Sequence, residues 1–512
     1  MSRNVTEESV GCTRFANESS GFDGIIKHKY SDFHVHEIDP NGKVIYLKST
    51  EPLPRAQYPA GFERWLKSSQ KSFSFKIESE QQIALIFMEH PELHVKRIGT
   101  QATIEHAEKR RPQFEITRFT LFKENVNQQE AMAKILARLN ITQNQLGFAG
   151  NKDKRAATTQ YVTVRDVPLQ KVVKSLSNLD KVTCGEFCHV TSPLKLGDLS
   201  GNRFTIAIRG LKIGQKELDE KIKSIQKSGF INYYGMQRFG TGETATHKIG
   251  ILIIQGKYDA AVDAIMNPVE GEEQRIHEAK IAFQRSDLDK AMELLPHSAV
   301  AERKIVEAAH DTNKKYEMFK AVDRRQRMMY VHAYQSYIWN KCASKRAEKG
   351  FKVLETDTVE YKGKIKEPTK KSVLQDVVIP LCEGDTKDKM ILDMMKEDGV
   401  TTEMFRKIAK EYGINTEYRK FMAFAKDIEY SIVKHDNPDV QLINNDVELL
   451  NNPKLSRVAK NTGNKNSSAV ISFSLGSGEY ATMFLRELMK RSTEVFTDQQ
   501  KSLEADFDED IE

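Results

Sequence analysis

The chain has 512 residues, 39% of them hydrophobic, which exceeds what one ordinary domain needs for its core, so two folded domains with frayed ends are expected. Its 78 basic and 72 acidic residues leave a net charge of only +6, so any grip on a polyanion has to come from local patches. No window approaches ~18 uninterrupted apolar residues and the first twenty lack an apolar signal core, so a soluble intracellular protein is expected.

Five cysteines, Cys12, Cys184, Cys188, Cys342 and Cys382, are too few and too scattered for a disulfide framework, as a reducing compartment would have it. Cys184, Cys188 and His189 lie close together but lack a second ligand pair at finger spacing, so no metal site is assigned.

Taken in order, residues 1–20 have the composition of a mobile leader. Phe33, Val35 and Glu37 then alternate on one side of a predicted strand, and Pro40-Asn41-Gly42 turns the chain into a second apolar run, which together predict a hairpin. Lys27 lies just ahead of that strand and, from position alone, fits a solvated cation. Residues 51–112 lose periodicity and have the character of an insertion ending in Lys109-Arg110-Arg111, a triplet that suits a solvated loop, an RNA contact or a weak nuclear signal. A strand over Ile116–Phe122 follows, and then a helix with Met132, Ile135, Leu136 and Leu139 on one stripe.

The stretch after that helix, GFAGNKDKRAATTQ from Gly147 to Gln160, carries a lone acid, Asp153, among Lys152, Lys154 and Arg155. Tyr161–Val164 is β-branched and aromatic, so Asp153 is expected in a loop between a helix and a strand, with Gly147 and Gly150 allowing close approach to a ligand. A phosphate-cradling loop is excluded because no Gly-Lys-Ser or Gly-Lys-Thr follows the glycines, and the guanine-reading N-K-x-D pattern fails because Asp153 comes one residue too early. Two readings remain on the residues alone. Three neighbouring cations favour an ionised carboxylate fit for nucleophilic or general-base work, and they equally suit a loop salt bridge.

Further on, Asn202, Phe204, Ile206 and Ile208 share one face of a predicted strand, with the amide and the ring at its mouth. Phe204 suits either a base-stacking ring or one more core residue. A helix with Leu218, Ile222 and Ile225 on its stripe stops at Gly229, and Phe230–Gly250 is dense in rings, with Arg238 and Lys248 as phosphate candidates. Long helices dominate to about Phe424, including one from Arg325 to Lys349 whose Tyr330, Tyr334, Tyr337 and Ile338 form a core stripe. Strands return over Ile428–Lys490, with a run at Val470–Leu475 and a last helix from Glu479 to Met489; the tail from Lys501, with six acids in twelve residues, is expected to be disordered.

Five stretches in this order resemble the TruD-type pseudouridine synthases, especially their eukaryotic branch: GIIKHKYSDF (24–33), FAGNKDKRAATTQ (148–160), LKLGDLSGNRFTIAIRG (194–210), INYYGMQRFG (231–240) and SYIWNKCASKR (336–346). EYATMFLREL (479–488) is a weaker sixth, and the resemblance spans Gly21 to Lys490. It implies cofactor-free isomerisation of uridine to pseudouridine in transfer RNA, and in messenger RNA as well, with Asp153 as the catalytic carboxylate. Lys27 matches the active-site lysine that pairs with it, Phe33 the adjacent aromatic, and Asn202 with Phe204 the N-x-F pair, whose amide holds the aspartate loop and whose ring lines the base pocket. Lys152, Lys154, Arg155 and Arg238 remain as RNA-binding or loop-anchoring candidates.

The implied fold is α/β: a mixed-sheet catalytic domain over 21–229 and 425–490, interrupted by the family's insertion domain at 230–424, with 1–20 and 491–512 disordered and RNA in the cleft between domains. A monomer without metal, cofactor or membrane attachment, nuclear or cytoplasmic or both, is expected. Two departures stand out: Ser31 replaces the acid that often precedes Asp32-Phe33, and Leu475-Gly476-Ser477-Gly478-Glu479 lacks the proline common in relatives. Two other classes compete with this reading. A catalytically silent RNA binder has no need of Asp153 with its lysine, and a methyltransferase would need a glycine fingerprint for its cofactor, which is absent.

Overall fold

The computed structural model describes residues 5–50, 58–78, 82–83, 86, 90, 93–106, 116–177, 179–240, 245–269 and 272–493. The basic triplet Lys109-Arg110-Arg111 and the acidic tail from 494 onward lie outside the described residues. The chain divides into two compact units, one of 23–216 with 425–478 and the other of 217–424 with the segments 5–22 and 479–493.

The first unit is built on a nine-stranded sheet. Its strands are β1 (Ile25–Ile26), β2 (Phe33–Ile38), β3 (Ile116–Glu124), β4 (Leu146–Phe148), β5 (Ala157–Arg165), β6 (Val182–His189), β7 (Gly201–Arg209), β8 (Lys426–His435) and β9 (Asn466–Gly476). Sequences such as ATTQYVTVR and AVISFSL, rich in β-branched and aromatic residues, fit a pleated and half-buried surface. The order is β8-β9-β7-β2-β5-β3-β6, with β1 beside β7 and β4 beside β5. The β2–β5 pair is parallel and its neighbours antiparallel, so the sheet is mixed.

Register sorts the side chains onto two faces. Ile206, Phe204 and Asn202 stand opposite Phe33, Val35 and Glu37, so these six share a face, and Lys123, opposite Thr158, shares it too. That face is covered by helices α1 (Gln128–Leu139) and α2 (Leu169–Leu176). Met132, Ile135 and Leu139 of α1 pack with Phe119, Leu121, Val162 and Val164, each contributing roughly 1.5–3 kcal/mol by burial. Asn127 caps the start of α1 by accepting from the Gln129 amide, and Asn140 ends it in the left-handed region.

The opposite face carries His34, His36, Arg203 and Thr205, and helix α3 (Asp446–Asn451) lies against it. Asp446, almost fully buried, accepts from Leu47 N at 2.8 Å and Thr159 Oγ1 at 2.7 Å. The same carboxylate lies 3.0 Å from His36 Nε2 and 2.7 Å from Arg457 Nη2. Charge-assisted bonds of this kind hold its proton affinity well below the ordinary carboxylate range despite the burial.

Several expectations need correcting. The predicted hairpin survives only as a turn: Asp39 and Lys43 pair across Gly42, but the return arm makes a single bridge, Ile38 to Val44. Glu37 O still accepts from Ile45 N, and Ile45 and Leu47 are buried as packing instead of as a strand. The described part of 51–112 has its own fold, an antiparallel sheet of Ser72–Lys76, Gln101–His106 and Leu93–Ile98 around Phe62, Trp65, Phe75 and Ile104.

The second unit is mainly helical and centres on the helix Arg324–Ala347, where Tyr330, Tyr334 and Ile338 of the predicted stripe are buried, Tyr337 is half-buried, and Trp339, outside the stripe, is fully buried. The helix Thr246–Ile254 packs so close to it that a Cβ on Gly250 would meet Tyr330 O at 2.2 Å. Residues 5–20 are no mobile leader. Val5, Val10, Cys12 and Ala16 are buried, Glu7 pairs with Arg486 Nε at 2.6 Å, and the amide of Ala16 donates to the Glu487 carboxylate. Polar composition misled here because the charged residues of the segment find internal partners. The helices Gln215–Ser228 and Ala481–Met489 also pack chiefly within this unit, where Phe230 meets Phe484 at 6.0 Å, so the division falls at 216/217 and 478/479 instead of at 229/230 and 490.

Candidate active site

Asp153 lies in the loop 149–156 between β4 and β5. It therefore follows a short strand, not the predicted helix directly. Lys27 Nζ donates to Asp153 Oδ2 at 3.0 Å, and the lysine side chain is 8% exposed against 34% for the acid. The ammonium also sits 4.1 Å from the centroid of the Phe33 ring. A desolvated cation is thus held between a carboxylate and an aromatic face, while the carboxylate keeps an edge open to solvent.

Lys27 itself has φ +55, a left-handed conformation that costs any residue carrying a Cβ. Arg155 secures it: its Nη2 donates to the carbonyls of Lys27 and His28, each at 3.1 Å. The following turn is fixed by Asp32, whose carboxylate caps the Lys29 amide and takes two bonds from Arg209, at 2.8 and 2.7 Å.

Of the three cations beside Asp153, only Lys154 is exposed. Lys152 is buried and its Nζ meets Glu37 Oε2 at 2.7 Å, so it anchors the loop to β2 and is not available to a phosphate. Arg155 spends its guanidinium on backbone carbonyls. Gly147 is needed because a Cβ there would meet Leu194 O at 2.4 Å, a constraint from the protein's own backbone instead of from a ligand; Gly150 has ordinary contacts.

Phe204 is 7% exposed, stacked on Phe473 at 5.5 Å and edge-on to Phe33 at 6.1 Å, so it braces the Phe33 ring under Lys27 as a core residue. Asn202 stands opposite Glu37 in the register, and its Oδ1 is buried without a hydrogen-bond partner. Arg238 belongs to the helical unit, where Nε lies 3.4 Å from Ser336 Oγ and the guanidinium 5.9 Å from the Tyr234 ring. Among the described residues no cluster of three or more His, Cys, Asp or Glu is placed to hold a metal, and Cys184 and Cys188 are buried thiols. Among the described residues no helix is long and apolar enough to cross a membrane.

Sequence reasoning missed Lys123. It is fully buried at the end of β3, where Nζ donates to the carbonyls of Val126 at 2.9 Å, Lys152 at 3.4 Å and Asp153 at 2.6 Å. The signal was present, since Phe119, Leu121 and Lys123 alternate on the core face and a lysine there demands partners.

The family model described as tRNA pseudouridine synthase D (TruD) matches residues 92–488. The chain belongs to the TruD family. This pseudouridine synthase is 29% identical to the human pseudouridylate synthase 7 homolog over 97% of the chain and 82% of the relative. It is 25% identical to the multisubstrate pseudouridine synthase 7 of Schizosaccharomyces pombe over 96% of the chain and 91% of the relative. In fold it matches the crystal structure of a Methanosarcina mazei protein assigned to tRNA pseudouridine synthase D, with a TM-score of 0.58 at 20% identity, covering 94% of this chain and 97% of that one. It is accordingly an RNA-modifying isomerase.

Proposed function

We propose that this enzyme isomerises specific uridines of transfer RNA, and of further RNA classes including messenger RNA, with Asp153 as the catalytic carboxylate. The observation that carries the assignment is the 3.0 Å bond between Lys27 and Asp153, in which the lysine is buried and the acid keeps an open edge. Transfer RNA is supported by the family's description, and a wider set by the Schizosaccharomyces pombe relative described as multisubstrate, which aligns with 96% of this chain.

The reaction is an internal rearrangement. The N1–C1′ bond breaks, the uracil turns, C5 bonds to C1′, and the C5 proton leaves to solvent while N1 gains one, so no redox partner is required. A carboxylate with an edge open to solvent acts on the sugar or on a proton of it, and Lys27 keeps its charge compensated before and after. A target base has to leave its stack to reach such a group, and unpaired or weakly paired uridines cost least.

The test is pseudouridine mapping on transfer and messenger RNA incubated with purified enzyme, wild type and Asp153→Asn. The wild type is expected to form pseudouridine in both RNA classes, and the variant to form none while still binding RNA. A variant that converts uridine at the wild-type rate removes Asp153 from the mechanism, and a wild type active on transfer RNA alone removes the wider substrate set.

A further inference from the structure

The loop that presents Asp153 is held from beneath by a residue that no resemblance pointed to. Lys123 Nζ reaches the main-chain carbonyls of Val126, Lys152 and Asp153, so one ammonium joins the start of α1 to the residue that bears the reacting carboxylate. Three carbonyls match the three N–H groups of an ammonium, and the lysine is fully buried in strand β3 between Thr158 of β5 and Val182 of β6.

We infer that Lys123 is a positioning residue for the isomerisation: its ammonium clamps the Asp153 main chain so that the carboxylate stays against Lys27 and at the open edge of the site. This rests on Asp153 being the catalytic carboxylate. The bonds of Lys123 run to main-chain carbonyls, so it holds the backbone behind the carboxylate.

The clamp is sensitive to protonation. Burial pulls the Lys123 ammonium down to about 8, with Asp153 opposing that shift and Lys152 adding to it. The neighbouring strand residues Thr158 and Val182 do not titrate, Lys152 is occupied by Glu37, and Asp153 is bonded to Lys27. A neutral amine has two N–H groups and a lone pair, so above about pH 8 one of the three carbonyls faces a lone pair and the loop is released at that point. Turnover is thus expected to fall on the alkaline side as Lys123 loses its proton, while RNA affinity, which depends on exposed cations, is unaffected.

The experiment compares wild type, Lys123→Met, Lys123→Arg and Asp153→Asn in single-turnover pseudouridine formation from pH 6 to 10, with RNA binding and circular dichroism measured in parallel. Lys123→Met is expected to lower the rate constant roughly 10²-fold at pH 7 with RNA affinity within about 2-fold of wild type, as displacement of a reacting group by about an ångström does. Lys123→Arg, which stays charged throughout, is expected to recover part of the rate and to lose the decline near pH 8. If Lys123→Met does not fold, the pH profile of Lys123→Arg decides. A wild-type rate in Lys123→Met, or the same alkaline decline in Lys123→Arg as in wild type, overturns the proposal. Asp153→Asn separates the two claims: an inactive Asp153→Asn beside a fully active Lys123→Met sinks the clamp alone, whereas an active Asp153→Asn sinks the assignment on which it rests.

Discussion

Lys152 and Glu37 form an ion pair inside the protein, with Nζ 2.7 Å from Oε2 and side chains only 3% and 2% exposed. Glu37 Oε1 also accepts from the Tyr161 amide at 3.3 Å, so this one carboxylate ties β2 to both the aspartate loop and strand β5. Removing one partner of a buried pair strands the other charge, and the usual cost is about 3–5 kcal/mol. Lys152→Ala should therefore lose about that much in urea unfolding. A Lys152→Met, Glu37→Leu double variant, which removes both charges, should recover much of it. If the double variant is as weak as the single one, the loss comes from packing and not from the stranded charge.

That pair also marks where sequence reasoning stopped. The alternation of Phe33, Val35 and Glu37 and of Asn202, Phe204, Ile206 and Ile208 was legible, because a two-residue repeat sorts side chains by face whatever the tertiary fold. The stripe of Met132, Ile135 and Leu139 was legible for the same reason at the helical period. What a repeat does not carry is the partner. Lys152, Lys154 and Arg155 look alike in a row, and only the fold sends the first inward to Glu37, leaves the second in solvent and turns the third onto the carbonyls of Lys27 and His28. Composition misled in residues 5–20 in the same way, since Glu7 seems a solvated acid until Arg486, far along the chain, is folded against it. The residues alone left Phe204 between base stacking and core, and its ring contact with Phe473, on a strand remote in sequence, could not be foreseen from the two-residue repeat.

Lys154 is the exposed member of that row, beside Asp153 in sequence, and the enzyme acts on RNA. A cation that neutralises one phosphate of a single strand contributes roughly 0.7 to the slope of log affinity against log salt. Lys154→Ala should flatten that slope by about this amount and weaken binding alike on every RNA. Unfolding free energy should change by less than about 0.5 kcal/mol, as is usual for exposed positions. Filter binding from 50 to 300 mM salt measures the slope; an unchanged slope removes Lys154 from the RNA contact.

The face of the sheet away from Asp153 gives the protein an acid-sensitive side. His34 is buried, its Nε2 has no hydrogen-bond partner, and burial, with the nearby His36, pulls the imidazole down to about 3 from its usual 6.5. In the unfolded chain the same ring takes up a proton near pH 6.5. Between that pH and about 3 the unfolded state therefore binds one more proton than the folded state, so stability falls as pH falls through this window, by up to ~1.4 kcal/mol per pH unit for this group. His36 contributes with the same sign, because burial lowers it too. Asp446 acts in a lower window: its depressed carboxyl stabilises the fold above the unfolded value of 3.8, and that contribution is lost only as pH drops below it. Losses between pH 6.5 and 4 thus belong chiefly to the histidines. His34→Leu, similar in volume and without the unpartnered nitrogen, should flatten the pH dependence of urea unfolding across pH 4–6.5 and move the acid midpoint to lower pH. An unchanged slope would show that His34 is protonated in the folded protein, or that the unfolded chain does not charge it.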